Sequence, residues 1–196
     1  MTKQELIKKH AYELFVAKNY ELASVNEIVA ACAISKGSYY TYYQTKEEVY
    51  LSLLKDFYHV WFVQIKKELA TPVEMPTLIE TLLTNFVKNP AFIELASKSQ
   101  VIIESNIEGQ VLLEFKSWLY QNLNDVSLMM SLKYHLNQPE VFRKLIQTYS
   151  IVIGLWLGSK IPGSIASIKA DFPIDQLFID FSLDIVDVVQ RVWKFV

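Results

Sequence analysis

The chain has 196 residues, of which 52% are apolar and 13% aromatic, and its formal net charge is −2. This composition excludes a disordered chain and leaves room for a small domain followed by a larger one. The near-neutral charge excludes a protein that binds nucleic acid through a generally basic surface, so any DNA contact must depend on local geometry.

Helix start signals are plain in the first fifty residues. A capping box pairs a Ser or Thr hydroxyl and a Glu carboxylate, three residues apart, with free N–H groups of a first helical turn. Each box in this stretch precedes helical periodicity, which makes the set more informative than a single match. There are three such boxes: Thr2 with Glu5, Ser24 with Glu27, and Thr45 with Glu48.

These signals predict four helices. The first runs from about Lys3 to Lys18 and ends at Asn19, and the second is a two-turn helix that begins at Ser24. After a short turn, Ser35 caps a third helix to about Tyr42, and a fourth helix covers 45–69. Two short helices joined by a turn cannot bury a core alone, so helices 1 and 4 must pack around them. This layout is typical of a helix-turn-helix DNA-binding unit.

The remainder of the chain is also predicted to be helical. Pro72 and Pro76 break the chain after helix 4, and Ile161–Pro173 has the composition of a loop. Further helices are expected over 90–105, 110–134, 139–160 and 174–195, so that the chain is all-α with about nine helices.

The third helix has two different faces. Tyr39 and Tyr43 are four residues apart and are expected to pack inward. Lys36, Gly37 and Thr41, together with Tyr40, then face outward. Lysine and tyrosine can reach phosphate oxygens, glycine permits close backbone approach, and Thr41 could touch a base edge or a thymine methyl.

Residues 24–46 read SVNEIVAACAISKGSYYTYYQTK, and over about residues 5–55 the chain resembles the TetR/AcrR family of bacterial regulators. The family pattern there is close to S-K-G-T-L-Y-x-H-F-x-x-K-E. The residues that carry the resemblance are Phe15, Ser24, Val25, Ile28, Ser35, Lys36, Gly37, Tyr40, Tyr43, Lys46 and Glu47.

The resemblance implies a role for each matching residue. It also shows two departures: Ala33 stands where the family usually has glycine in the turn, and Tyr42 where it usually has histidine. The segment has no arginine, so bidentate Arg–guanine contacts are absent. The implied phosphate contacts are Ser24, Ser35, Lys36, Tyr40, Tyr42 and Lys46, and the residues nearest the bases are Gly37, Ser38 and Thr41.

The last two helices are the candidates for pairing with a second copy. One unit reads only a few base pairs, whereas a two-fold dimer places two recognition helices about 34–36 Å apart. In the resembling family this pair of helices builds the dimer interface, although both could instead belong to one subunit's core. The candidate interface residues are Gly154 and Gly158, in a Gly-x-x-x-Gly spacing, and Leu177, Phe181, Ile185, Val188 and Val192.

A pocket for a small, largely apolar effector is expected among the aromatic and Met side chains of the C-terminal part. Most of these side chains are ordinary core, so the pocket is a hypothesis. The candidates are Trp61, Phe62, Phe86, Trp118, Met129, Tyr134, Tyr149 and Trp156.

The sequence therefore predicts a helix-turn-helix DNA-binding domain over 1–47 and a helical effector-binding and dimerisation domain over 48–196, connected by helix 45–69. The expected function is a homodimeric repressor that binds a palindromic operator and is released by its effector. The main alternative is a helical ligand-binding protein or enzyme without specific DNA binding. The three histidines lie far apart and there is no Gly-rich phosphate loop, so neither an enzyme nor a metal or cofactor is expected.

The place of the protein in the cell is also an expectation. No basic flank followed by an apolar run begins the sequence, and the most apolar window, Ile151–Leu157, is shorter than the roughly 20 residues of a membrane span. Cys32 is the single cysteine, which excludes an internal disulfide. These features favour the reducing cytoplasm.

Overall fold

The computed structural model describes residues 1–166 and 173–193 of the chain. These residues form ten α-helices and contain no β-strand, so the predicted all-α fold is confirmed. The helices are α1 (Lys3–Ala17), α2 (Val25–Cys32), α3 (Lys36–Tyr40), α4 (Lys46–Leu69), α5 (Met75–Lys88), α6 (Pro90–Ser97), α7 (Gly109–Tyr134), α8 (Gln138–Gly158), α9 (Gly163–Ala166) and α10 (Phe181–Trp193).

The prediction of one helix over 90–105 was wrong. Helix α6 ends at Ser97 and is followed by a π-helical turn, Ser99–Ile103, and a 3₁₀ turn, Glu104–Asn106. The Ile103 N–H donates to the Lys98 carbonyl (3.1 Å), and the Glu104 N–H donates to the Ser99 carbonyl. Each donor lies five positions after its acceptor, which is the backbone bonding of a π-helix rather than of an α-helix.

The C-terminal helix begins later than predicted. A 3₁₀ turn covers Ile174–Leu177, and α10 starts only at Phe181. Asp180 explains this start, because its carboxylate accepts hydrogen bonds from the N–H groups of Ser182 (3.1 Å) and Leu183 (3.2 Å) as an N-cap does. The predicted end at Phe195 lies outside the described residues.

At two predicted breaks between helices, the structure also differs from the prediction. Pro76 does not end a segment but lies in the first turn of α5, where its missing N–H needs no partner. The predicted loop Ile161–Pro173 contains the short helix α9, and its residues 167–172 lie outside the described part of the chain.

The described residues divide into two compact units. Residues 1–63 and 89–121 form the first, and residues 64–88 with the described part of 122–196 form the second. In the first unit α1 packs on α2 and α2 packs on α3, and in the second α10 packs on α5 and α8. These are units of packing, so the functional boundary predicted after residue 47 stays a prediction.

The turn between α2 and α3 depends on a left-handed alanine. Ala33 has φ 53° and ψ 41°. The N–H groups of Ala33 and Ile34 donate to the carbonyls of Ala30 (3.2 Å) and Val29 (3.1 Å), which is the bonding of a Schellman motif. The family's preference for glycine at this position therefore has a local cause, since glycine adopts this conformation without steric cost.

Ala33→Gly is expected to raise the free energy of unfolding by about 0.5–1 kcal/mol. The left-handed conformation costs a residue with a Cβ roughly 1–2 kcal/mol, and the greater freedom of glycine in the unfolded chain cancels about 0.5–1 kcal/mol of that gain. Urea denaturation followed by circular dichroism measures the change. The matched control is Ala30→Gly in the same helix, where the backbone is helical and a loss of about 1 kcal/mol is expected. If both variants were destabilised equally, Ala33 would carry no strain.

Candidate nucleic-acid interface

A carboxylate fixes the start of α2. The Glu27 N–H donates to the Ser24 hydroxyl oxygen (3.3 Å), and the Ser24 N–H donates to the Glu27 carboxylate (2.8 Å), so the predicted capping box is confirmed. The other carboxylate oxygen accepts a hydrogen bond from Lys18, just after α1 (2.8 Å). The bonds from Lys18 and from Ser24 lower the pKa of Glu27 to about 2, so this tie between α1 and α2 is ionised at neutral pH.

A tyrosine that sequence reasoning missed holds the same region from α4. The Tyr50 hydroxyl accepts a hydrogen bond from the Ala23 N–H (2.8 Å) and donates to the Ala11 carbonyl (3.5 Å). Burial raises the pKa of Tyr50 to about 12, so the hydroxyl stays neutral and able to donate. Tyr50 thus joins α1, the loop before α2 and α4. A single tyrosine on an apolar helix face gives no sign of such distant partners.

The inward face of α3 is as the sequence predicted. Ser35 caps the helix by accepting a hydrogen bond from the Ser38 N–H (3.1 Å). Tyr39 is 0% exposed and Tyr43 is 4% exposed, so both rings lie in the core of the first unit. The Tyr39 hydroxyl donates to the Thr45 carbonyl at the start of α4 (2.9 Å), and burial raises the pKa of Tyr39 above its ordinary value. These contacts fix the rotation of α3 about its own axis.

The outward face of α3 also agrees with the prediction. Lys36, Gly37 and Thr41 are exposed, and Tyr40 and Tyr42 keep 44% and 40% of their surface exposed. A cation, a glycine, two phenols and a threonine therefore share one accessible surface, which suits phosphate and base-edge contacts. Of the other predicted contacts, Ser24 and Ser35 are exposed and Ser38 is half-buried.

The start of α4 realises only half of its predicted capping box. The Glu48 N–H donates to the Thr45 hydroxyl oxygen (3.2 Å). The Glu48 carboxylate, however, accepts from the N–H of Gln44 (2.7 Å), one residue before the position expected. Lys46 keeps 35% of its side chain exposed and lies 3.8 Å from the carboxylate of Glu47, a buried residue, which is too far for a hydrogen bond. Its ammonium therefore stays available to a phosphate.

The prediction that an apolar stripe on α10 forms the dimer interface is wrong for two of its residues. Phe181 and Ile185 are 8% and 0% exposed within the chain itself, because α10 turns this face to α5 and α8. The buried stripe continues through Val189 and Trp193, whose indole N–H donates to the Thr148 hydroxyl (2.8 Å). A partner could not reach the buried Phe181 and Ile185. Of the other predicted residues of this stripe, Val188 and Val192 are half-buried and Leu177 is 74% exposed.

The two glycines of α8 have different environments. A Cβ on Gly158 would lie 2.7 Å from the Ile179 side chain, and the Ile179 N–H donates to the Gly158 carbonyl (3.1 Å). A Cβ on Gly154 would meet no atom within 4 Å. Gly158 thus serves packing within the chain, whereas Gly154 is open to a neighbour.

The eight predicted effector-pocket residues fall in different units. Trp61, Phe62 and Trp118 belong to an aromatic cluster of the first unit, in which Phe62 and Trp118 meet edge to face at 5.9 Å. In the second unit, the Tyr134 hydroxyl donates to the Val73 carbonyl (2.9 Å). Also in the second unit are Phe86, which is buried, and Met129, Tyr149 and Trp156, which are half-buried.

Two clefts lie between α5 and α10 of the second unit. The smaller has a volume of about 140 Å³ and the larger about 260 Å³. None of the eight predicted pocket residues lines either cleft, so the effector site stays a prediction. The first is lined by Met75, Pro76, Ile79, Gln190 and Trp193, and the second by Glu80, Leu83, Thr84, Val87, Lys88, Ser182, Ile185 and Val186.

Among residues 1–166 and 173–193, no group of three or more His, Cys, Asp or Glu side chains is placed to hold a metal ion. Within the same ranges no helix is both long and apolar enough to cross a membrane.

Comparison with known sequence families gives two matches. Residues 7–53 match the family described as bacterial regulatory proteins, tetR family. Residues 55–194 match the family described as tetracyclin repressor-like, C-terminal domain. Together the two matches cover most of the chain, including the stretches on both sides of α4.

Individual relatives are more distant or match less of the chain. The HTH-type transcriptional regulator YuxN of Bacillus subtilis (strain 168) is 43% identical over 63 residues, which are 32% of this chain. The chain covers only 22% of the length of that relative. The match therefore concerns a part of each protein.

Two solved structures share the fold. The fatty acid degradation regulator FadR from Bacillus halodurans superposes with a TM-score of 0.62 at 17% identity, over 98% of this chain and 95% of its own. A protein from Syntrophomonas wolfei assigned to the TetR family gives a TM-score of 0.61 at 16% identity, over 98% and 96%. At these identities the likeness concerns the fold alone.

Proposed function

The chain belongs to the TetR family of bacterial regulatory proteins, and on that premise we propose that it is a homodimeric repressor of a palindromic operator, released by a small, largely apolar effector. At the coarser level it is a DNA-binding transcriptional regulator with a ligand-binding domain, and not an enzyme. Since bacterial DNA lies in the cytoplasm, we expect the protein to act there.

One observation carries the DNA-binding part of the proposal. Helix α3 buries Tyr39 and Tyr43 and leaves Lys36, Tyr40 and Thr41 accessible. A short helix fixed in this way can enter a major groove with its outer face toward the bases. The proposed phosphate contacts are Ser24, Ser35, Lys36, Tyr40, Tyr42 and Lys46, and the proposed base-facing residues are Gly37, Ser38 and Thr41.

A homodimer is supported by the apolar surface on the helices of the second unit. On α8, Leu157 is 54% exposed and the adjacent Gly154 is open, and Leu183 of α10 is 74% exposed. Gly154 and Leu157 are three residues apart and therefore share one face of α8, where a second helix can approach closely. Two copies related by a two-fold axis present one α3 to each half of a palindrome.

The effector acts in this proposal by preferring a dimer geometry that does not fit the operator. Its effect on DNA affinity cannot exceed the ratio of its affinities for the two states. The effectors to be tested are apolar and aromatic amphiphiles. Fatty acids belong among them because one structural neighbour is a fatty acid degradation regulator.

Selection of duplexes from a random library by the purified full-length chain tests the proposal. We expect enrichment of a palindrome whose half-sites lie about one helical turn, or a multiple of it, apart. Titration of the selected duplex by fluorescence anisotropy, with and without each effector, then measures release. Failure to enrich any sequence would contradict the assignment of α3 as a recognition helix.

Lys46→Ala is expected to weaken binding to all duplexes by a similar factor. It is also expected to reduce the slope of log K against log salt concentration by roughly one per half-site, since one phosphate contact is lost in each copy. Anisotropy titrations at several salt concentrations measure the slope. Lys88→Ala is the matched control, because it removes the same charge from an exposed site on α5. Equal slopes for the two variants would remove Lys46 from the interface.

A further inference from the structure

We propose that α3 reads thymine through its C5 methyl group, at the open surface that Gly37 and Thr41 share. This inference rests on the proposed function and adds the base that the recognition helix selects. The two residues are four positions apart and therefore neighbours on one face of the helix. Both are exposed.

The Thr41 hydroxyl already has a partner. It donates its only proton to the Gly37 carbonyl over 3.1 Å. In the major groove guanine presents two acceptors, N7 and O6, and thymine presents the O4 acceptor and a methyl group. The occupied hydroxyl has no proton left for these acceptors, and its oxygen can only accept, from adenine N6–H or cytosine N4–H. Against guanine or thymine, the threonine methyl is therefore the remaining contact. A thymine methyl fits that contact and a guanine edge does not.

Gly37 keeps the surface one turn before Thr41 open. A Cβ at Gly37 would have one neighbour within 4 Å, the Ser35 hydroxyl at 3.9 Å, and Gly37 does not have a positive φ. Neither packing within the chain nor backbone conformation therefore requires glycine here. Glycine costs a helix about 1 kcal/mol relative to alanine. The small residue instead allows a base with its methyl group to approach the backbone closely.

Lys36 is the main alternative residue for a base contact at this surface. It is exposed on the first turn of α3, and lysine can donate to guanine N7 and O6. Residues 24–46 contain no arginine to strengthen such a contact. If Lys36 instead binds phosphate, as proposed above, the base facing Gly37 and Thr41 is free to be thymine.

The test replaces single thymines of the selected duplex by deoxyuridine, which removes only the methyl group. The full-length chain is titrated with each duplex. At one thymine position of the half-site we expect deoxyuridine to lower the affinity about fourfold, which is the effect of burying one methyl group. Replacement of this thymine in both half-sites should lower the affinity roughly 15-fold. Deoxyuridine without effect at every position, or guanine selected at the position that contacts α3, would overturn the proposal.

Two variants locate the contact on the protein. Thr41→Ser keeps the hydroxyl and loses the methyl, so it should bind the thymine duplex about fourfold more weakly per half-site and no longer distinguish deoxyuridine. Thr41→Val keeps a methyl and should still distinguish it. A Thr41→Ser protein that discriminates like the wild type would refute the role of Thr41. Absence of any DNA binding would instead count against the proposed function as a whole.

Discussion

Replacement of Tyr39 by alanine is expected to lower the free energy of unfolding by about 3–5 kcal/mol, the usual cost of deleting a buried aromatic ring. Tyr39 is 0% exposed, and its hydroxyl donates to the Thr45 carbonyl at the start of α4. The substitution removes the ring that α3 packs on the core and the hydrogen bond that its hydroxyl makes to that carbonyl. Since natural domains are stable by only about 5–15 kcal/mol, this is a large share of the total stability.

The adjacent Tyr40 is the matched control. It is 44% exposed and touches Tyr39 edge to face at 5.5 Å, a contact worth about 0.5–1.5 kcal/mol. Tyr40→Ala should therefore unfold at nearly the wild-type urea concentration but bind the selected duplex more weakly. Urea denaturation and anisotropy together separate the two effects. Equal destabilisation by both substitutions would mean that α3 does not have one buried and one accessible face.

Features set by neighbouring residues could be predicted from the sequence. Two of the three capping boxes, those starting at Thr2 and Ser24, are present with both hydrogen bonds. Asn19 adopts a left-handed conformation after α1, as expected of a residue that ends a helix. In each case donor and acceptor lie within a few residues, so the sequence determines the geometry.

The two faces of α3 were also predictable, because burial follows the helical period. Tyr39 and Tyr43 are four residues apart and both are buried, while Lys36 and Tyr40 are accessible. The third capping box shows the limit of local reasoning. Glu48 is in reach of two backbone N–H groups and takes that of Gln44, a choice that depends on how the chain turns into α4.

Contacts between distant segments could not be predicted. The bonds of Tyr50 to Ala11 and Ala23, and of Lys18 to Glu27, depend on how the helices are placed. Which apolar residues of α10 are buried could not be predicted either, for the same reason. Val188 and Val189 are adjacent, and both continue a helical stripe from Ile185, but only Val189 is buried. Periodicity alone does not show which of the two faces the chain itself covers.

Leu157→Glu is the second variant with a large expected effect, because it acts on both copies of the proposed dimer. Leu157 is 54% exposed on α8, three residues after the open Gly154. Full burial of a leucine contributes about 1.5–3 kcal/mol, of which the exposed half of Leu157 can supply about half, and a two-fold interface loses this contribution twice. The dimer dissociation constant should therefore rise roughly 15- to 200-fold, with further weakening from two buried carboxylates.

Sedimentation equilibrium measures the dissociation constant, and anisotropy measures binding to the palindrome and to a single half-site. We expect the Leu157→Glu protein to be folded and monomeric, and to bind the palindrome no better than the half-site. Leu113→Glu is the control, since it makes the same substitution at a leucine of α7 that is 62% exposed. A Leu157→Glu protein that stays dimeric would show that α8 does not form the interface. A monomer with undiminished affinity for the palindrome would show that pairing is not needed to read it.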